Sequence, residues 1–189
     1  MITRCVGFMN ALTSPNDMNA LFDEQMAWVD KMQQAGVRID ITTANDLAFD
    51  TPTFLRASLN GINGIVISSF DDFPKIIMGH LFINNHRISN FQQAPTVIMG
   101  GLSLHSNKLE SLKDIHKHIH EINGHLNLAN NRIRSHVLGL LLIKGLTQVQ
   151  LDNIHVRAIL NRHLGKGRAG MLQAQEELIE AGLEEFAQL

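Results

Sequence analysis

Glu121-Ile122-Asn123-Gly124-His125-Leu126-Asn127-Leu128-Ala129-Asn130-Asn131-Arg132-Ile133-Arg134-Ser135-His136-Val137 is the centre of a stretch, Leu102 to Leu146, whose conformation decides the architecture of this chain. Just ahead of it and running into it, Leu109, Leu112, Ile115, Ile119, Ile122 and Leu126 recur at intervals of three and four. One unbroken helix would display such a stripe on one face. Neither Gly nor Pro interrupts residues 107 to 122. The stripe therefore predicts a long helix packed against a second one from about Ala129 to Ile143, a hairpin suited to a core or to an oligomer seam.

The residue order also resembles the helix-turn-helix of LuxR/FixJ-type regulators. Those proteins run Glu-Ile-Ala, a short gap, Leu-Asn-Leu-Ser, a second gap, then Thr-Val-Lys-Ser-His-Val. Gly145-Leu146-Thr147-Gln148-Val149-Gln150-Leu151 stands near the turn into that family's fourth helix. The resemblance covers about residues 102–151 and implies a break near His116. It also implies a recognition helix over 130–137, with Asn131, Arg132, Arg134 and Ser135 toward double-stranded DNA. Arginine can bond guanine bidentately, asparagine adenine, and serine phosphate. Lys144, Arg157 and Arg162 are weaker phosphate candidates.

Composition bounds these readings. The 189 residues are 44% hydrophobic and 18% charged, which suits a folded chain with a full core rather than a disordered one. One cysteine, Cys5, excludes an internal disulfide. No run approaches the ~18 apolar residues of a membrane helix, and the N-terminus lacks a signal core, so a cytoplasmic protein is expected. The net charge of −2 is segregated: 6 basic and 9 acidic residues in 1–101, 10 and 4 in 102–168, none and 5 in 169–189. A basic middle suits a phosphate-contacting surface, and equally suits a face turned toward the acidic tail.

Before residue 102 the chain alternates strand and helix signals. Cys5–Met9 reads as a buried strand. Ser14-Pro15-Asn16-Asp17 supplies an N-cap, a first-turn proline and an acid for a helix over 15–35 that Gly36 closes. Val37–Thr42 alternates with period two, as a strand near a sheet edge does. Thr51-Pro52 opens a helix to Gly61. Ile65-Val66-Ile67 reads as a central strand, Asp71-Asp72-Phe73-Pro74 as the start of a helix through Phe82, and Pro95–Met99 as a fourth strand. This order predicts a doubly wound, mostly parallel α/β sheet, receiver- or flavodoxin-like, over 1–101. An all-helical region is expected over 102–189, with a possible helix-turn-helix at 102–165. Thr147-Gln148-Val149-Gln150 is a capping box, and an acidic helix over 169–188 follows.

Ligands of such sheets sit at the strand ends, which makes Ser68, Ser69 and Gly100 the ligand-binding candidates. Neither Gly-x-Gly-x-x-Gly nor a P-loop follows the first strand, no Gly-x-Ser-x-Gly elbow surrounds the serines, and no cofactor is implied. The acidic pair and phosphoacceptor of receivers have no counterpart at Asn10-Ala11-Leu12 and Ser68-Ser69, so a receiver relative here would have lost phosphotransfer. Eight of the ten histidines lie between His105 and His163. His116 and His120, four apart on a helix, are the candidate metal pair, weighed against a solvated helix face. The expected function is a dimeric DNA-binding regulator. The alternatives are an oligomeric assembly protein that uses its helices as an interface, and an α/β small-ligand binder or enzyme.

Overall fold

In the computed structural model the residues described are 15–37, 39–41, 47–49 and 66–189. The predicted strand at 5–9 and the helix at 52–61 lie outside them. Helix α1 (Pro15–Gln34) forms where the cap and proline signals place it, and Gly36 follows at φ 88. Strands β1 (Ile39–Ile41) and β2 (Leu47–Phe49) pair antiparallel, with β1 at the edge of its sheet.

The chain is mixed α/β, with parallel strands in two sheets, and those strands are two or three residues long. One ladder stacks β2, β4 (Leu81–Phe82), β6 (Leu102–Ser103), β8 (His125–Asn127) and β9 (Gln148–Gln150). The second stacks β3 (Ile76–Ile77), β5 (Val97–Ile98) and β7 (Glu121–Ile122). Paired residues Leu81, Leu102, Leu126 and Val149 lie 21, 24 and 23 positions apart. Strand order follows chain order, so each circuit of about two dozen residues lays one rung on the last. That is a solenoid, in which apolar-x-apolar-x-x-Asn-x-apolar recurs over 102–109 and 126–133, with His86 in place of the asparagine over 81–88.

This arrangement corrects several expectations. A doubly wound sheet needs a crossover helix between successive parallel strands, and none stands between Leu81 and Leu102. The stretch 71–82 is a turn followed by β3 and β4, not a helix, and Asp72 sits at φ 64 in that turn. Ile67 is extended but forms no named strand; its carbonyl accepts the Arg87 amide. Residues 102–150 hold four strands instead of the all-helical region, and the sheets run through Gly101 without a boundary. The predicted long helix shrinks to α2 (Ile115–His118), and its partner to a 3₁₀ turn over Leu138–Leu142.

The interior explains the stripe. Leu109, Leu112, Ile115, Ile119, Ile122 and Leu126 are all fully buried, but they line successive sides of the coil rather than one helix face. Leu81 with Ile83, Leu102 with Leu104, Leu126 with Leu128 and Val149 with Leu151 point inward from the first ladder, one pair per coil. Where the chain bends between ladders, backbones approach closely. A Cβ on Gly100 would lie 2.7 Å from the Gly79 carbonyl carbon. On the descending side an asparagine ladder joins the backbone bonds between coils. Asn107 Oδ1 accepts the Ile88 amide at 2.9 Å while its Nδ2 donates to the carbonyls of Ile83 and Leu104. Asn131 repeats this with the Leu109 amide and the carbonyls of Leu104 and Leu128. His86 opens the column, accepting the Ile67 amide on Nδ1.

Both ends of the stack are closed. At the N-terminal end α1 packs Trp28 on Phe73, ring centroids 4.8 Å apart, and Gln25 Oε1 accepts the Met78 amide. At the other end come α3 (Ile154–His163) and α4 (Gly167–Glu180). The first of these begins six residues later than the Thr147 capping box predicts, because Gln148–Gln150 is taken as a strand and Asn153 is the cap. Asn161 of α3 receives the Val149 amide and donates to its carbonyl, which satisfies the last strand's free edge. On α4, Met171, Ala174 and Leu178 face the core, whereas Leu172 and Ile179 are exposed.

Candidate binding face

Alternation along each short strand sends one side chain outward between two that point in. The outward residues of the first ladder align in register: Phe82, Ser103, Asn127 and Gln150. One row before them stand His80, Gly101, His125 and Gln148. Rungs about 4.8 Å apart bring these side chains into contact from coil to coil.

His80 is fixed by its neighbour. Its Nδ1 accepts the Gly101 amide at 2.8 Å, so the proton of the neutral ring sits on Nε2. The ring stacks over Phe82 at 5.9 Å and lies 6.0 Å from His125. Gly101 makes room for this pair, because a Cβ there would fall 2.8 Å from His125 Cε1. Lower on the face, Ser103 Oγ donates to Asn84 Oδ1 at 2.7 Å. His105 Nδ1 bonds the Ser106 hydroxyl and its Nε2 accepts from Asn130 Nδ2. Asp152, a carboxylate bordering these rows, accepts the Asn130 amide. Among the described residues these rows are rich in amide, imidazole and hydroxyl groups. His125 and Gln148 are exposed, His80, Phe82, Asn127 and Gln150 are half-buried, and Ser103 is buried beneath its neighbours.

The residues singled out from sequence fall elsewhere. Residues 130–137 form an extended segment with turns, so a recognition helix is not present there. Asn131 is 9% exposed, and its amide is committed to the interior ladder, which leaves nothing to read a base. Arg132 and Arg134 are exposed, and their backbone amides donate to Leu109 and Glu110 of the preceding coil. Ser135 bonds the His136 ring through Oγ. Lys144 lies exposed beside the second ladder, its amide on the His120 carbonyl. Arg162 is engaged with Glu177, which also bonds the buried His163 at 2.7 Å.

Ser68, Ser69 and Gly100 are not brought together. The serines follow Ile67 on the descending side, with Ser69 Oγ donating to Asp71 at 2.6 Å, and Gly100 is buried in the bend between ladders. His116 and His120 do not share a helix face, since α2 ends at His118. The His116 ring packs against Gly139, its Nδ1 buried without a hydrogen bond, and burial holds its pKa below the ordinary histidine value. No group of three or more His, Cys, Asp or Glu side chains able to hold a metal occurs among the described residues. No described helix is long and apolar enough to cross a membrane.

His80, Phe82, His125 and Gln148 escape a reading that treats each segment separately. Their signal is the recurrence of Leu81-Phe82-Ile83, Leu102-Ser103-Leu104, Leu126-Asn127-Leu128 and Val149-Gln150-Leu151 at nearly constant spacing. Comparison with family models, curated proteins and solved structures gives no match for this chain.

Proposed function

We propose that this chain is a non-enzymatic interaction module that binds a polypeptide across the outward face of its first ladder. The observation behind this reading is the registered row of Phe82, Asn127 and Gln150, with Ser103 buried at the rung between the first two, flanked by His80, His125 and Gln148 on consecutive rungs. Asparagine and glutamine amides both donate and accept, matching the alternating groups of a peptide backbone, while the His80–Phe82 stack offers an aromatic anchor. Solenoids characteristically use such extended surfaces for recognition. The DNA-regulator expectation loses its main support, because its reading helix is absent and Asn131 faces inward.

The test is a selection of binders from a displayed random-peptide library on the wild-type chain. Each is then measured against the variant His80→Ala/His125→Ala/Gln148→Ala and against a back-face control, Lys75→Ala/Lys117→Ala. Selected peptides should bind the face variant at least tenfold more weakly and the control unchanged, tenfold being about 1.4 kcal/mol. A library that yields no binders, or binders indifferent to the face variant, would exclude this function.

A further inference from the structure

The solenoid has an unfinished rung. Ile88, Leu109 and Ile133 occupy one register on the descending side, and the first two have both backbone groups satisfied by the following coil. The Ile88 amide donates to Asn107 and its carbonyl accepts the Lys108 amide at 2.8 Å. The Leu109 amide donates to Asn131 and its carbonyl accepts the Arg132 amide at 2.9 Å. The register of β8 on β9 puts Ile154 where the next ladder asparagine would stand. Asn153, one residue early, instead spends its side chain on the amides of His155 and Val156 at the start of α3. Among the described residues, neither the N–H nor the C=O of Ile133 has a hydrogen-bond partner.

A cavity of about 150 Å³ adjoins this opening. Leu128, Ile133, Leu151, Val156 and Phe186 supply its apolar lining. Arg132 and Arg134 stand at its rim, both exposed, and no ion pair involves either among the described residues. Asp152 is also on the rim, with one carboxylate oxygen held by the Asn130 amide.

We propose that this opening docks an extended peptide segment of a partner, carrying an apolar residue between two acidic ones. Pairing with the N–H and C=O of Ile133 adds the missing rung. Side-chain alternation then directs the central residue into the cavity and the flanking ones outward beside Arg132 and Arg134. A cavity of this size admits one benzene-sized group, so leucine or phenylalanine suits the centre. The site lies beyond the first-ladder rows, with Asp152 bordering both, and its test does not depend on binding at that face.

The test is solution NMR on the full chain, uniformly nitrogen-labelled, titrated with acetyl-Gly-Glu-Leu-Glu-Gly-amide. Two altered peptides serve as controls, one with both glutamates changed to lysine and one with leucine changed to serine. The original peptide should shift the Ile133 and Val156 amides in a saturable way and slow hydrogen exchange at Ile133. Both altered peptides, and the surface variant Arg132→Ala/Arg134→Ala, should weaken binding at least tenfold. An unmoved Ile133 amide overturns the proposal. So does equal binding of the lysine peptide, or undiminished binding by the arginine variant with unchanged thermal stability.

Discussion

Asn107 and Asn131 differ from Asn153 in what a single position of register makes of the same side chain. The first two stand where the coil turns down and bond backbone groups of the preceding coil and of their own turn, in the interior. Asn153 arrives one position early, at the register of Asn130, and caps a helix instead. Continuation of the solenoid and its termination thus depend on a shift of one residue, because the ladder needs the amide inside and the cap needs it at a helix start.

The contrast is open to direct attack. Asn107→Ala strands the Ile88 amide and the Ile83 carbonyl away from water, while the Leu104 carbonyl keeps Asn131, and urea unfolding should report a loss of about 3 kcal/mol. Gly100→Ala comes next. Its Cβ would meet backbone rather than a flexible side chain, forcing two coils apart for about 2 kcal/mol, visible as a lower thermal midpoint. Asn153→Ala removes only a cap, so about 1 kcal/mol is expected in the same urea experiment. A cost equal to that of Asn107→Ala would erase the distinction between ladder and cap.

The smallest effect is electrostatic and belongs to the C-terminal helices. Hydrogen bonds from Arg162 and then His163 hold the Glu177 carboxyl below its ordinary value of 4.5. A carboxylate lowered in the folded state adds stability above about pH 4.5 and loses it as the pH falls through the folded value. The midpoint difference between wild type and Glu177→Gln should be modest at pH 7, below about 1 kcal/mol for so exposed a group, and should vanish on acidification. Thermal scans across that range measure it. Trp28, the single tryptophan, reports in parallel on whether the N-terminal cap unfolds with the rest.

What could be read from the sequence divides along physical lines. Helix α1 was legible because its cap, proline and closing glycine are local signals. Burial of Leu109 through Leu126 was legible too, but conformation was not. A coil of this kind spaces its inward residues by two, three or four, so most intervals imitate a helix of 3.6 residues per turn. The exposure of Arg132 and Arg134 followed from their chemistry. The inward role of Asn131 did not, because it depends on backbone groups of Leu104 and Leu109, more than twenty residues earlier. The face residues His80, His125 and Gln148 become a site only when three circuits of chain are stacked.

The rungs at Leu81, Leu102, Leu126 and Val149 follow one another in chain order, and this bears on how the molecule comes into being. Each new coil finds its whole pairing template in the two dozen residues made just before it, with no distant segment to await. Assembly can therefore proceed vectorially during synthesis, one circuit at a time, with the apolar edge of the latest coil open until the next arrives. Helices α3 and α4 follow the last rung, so the growing end stays adhesive until translation reaches them.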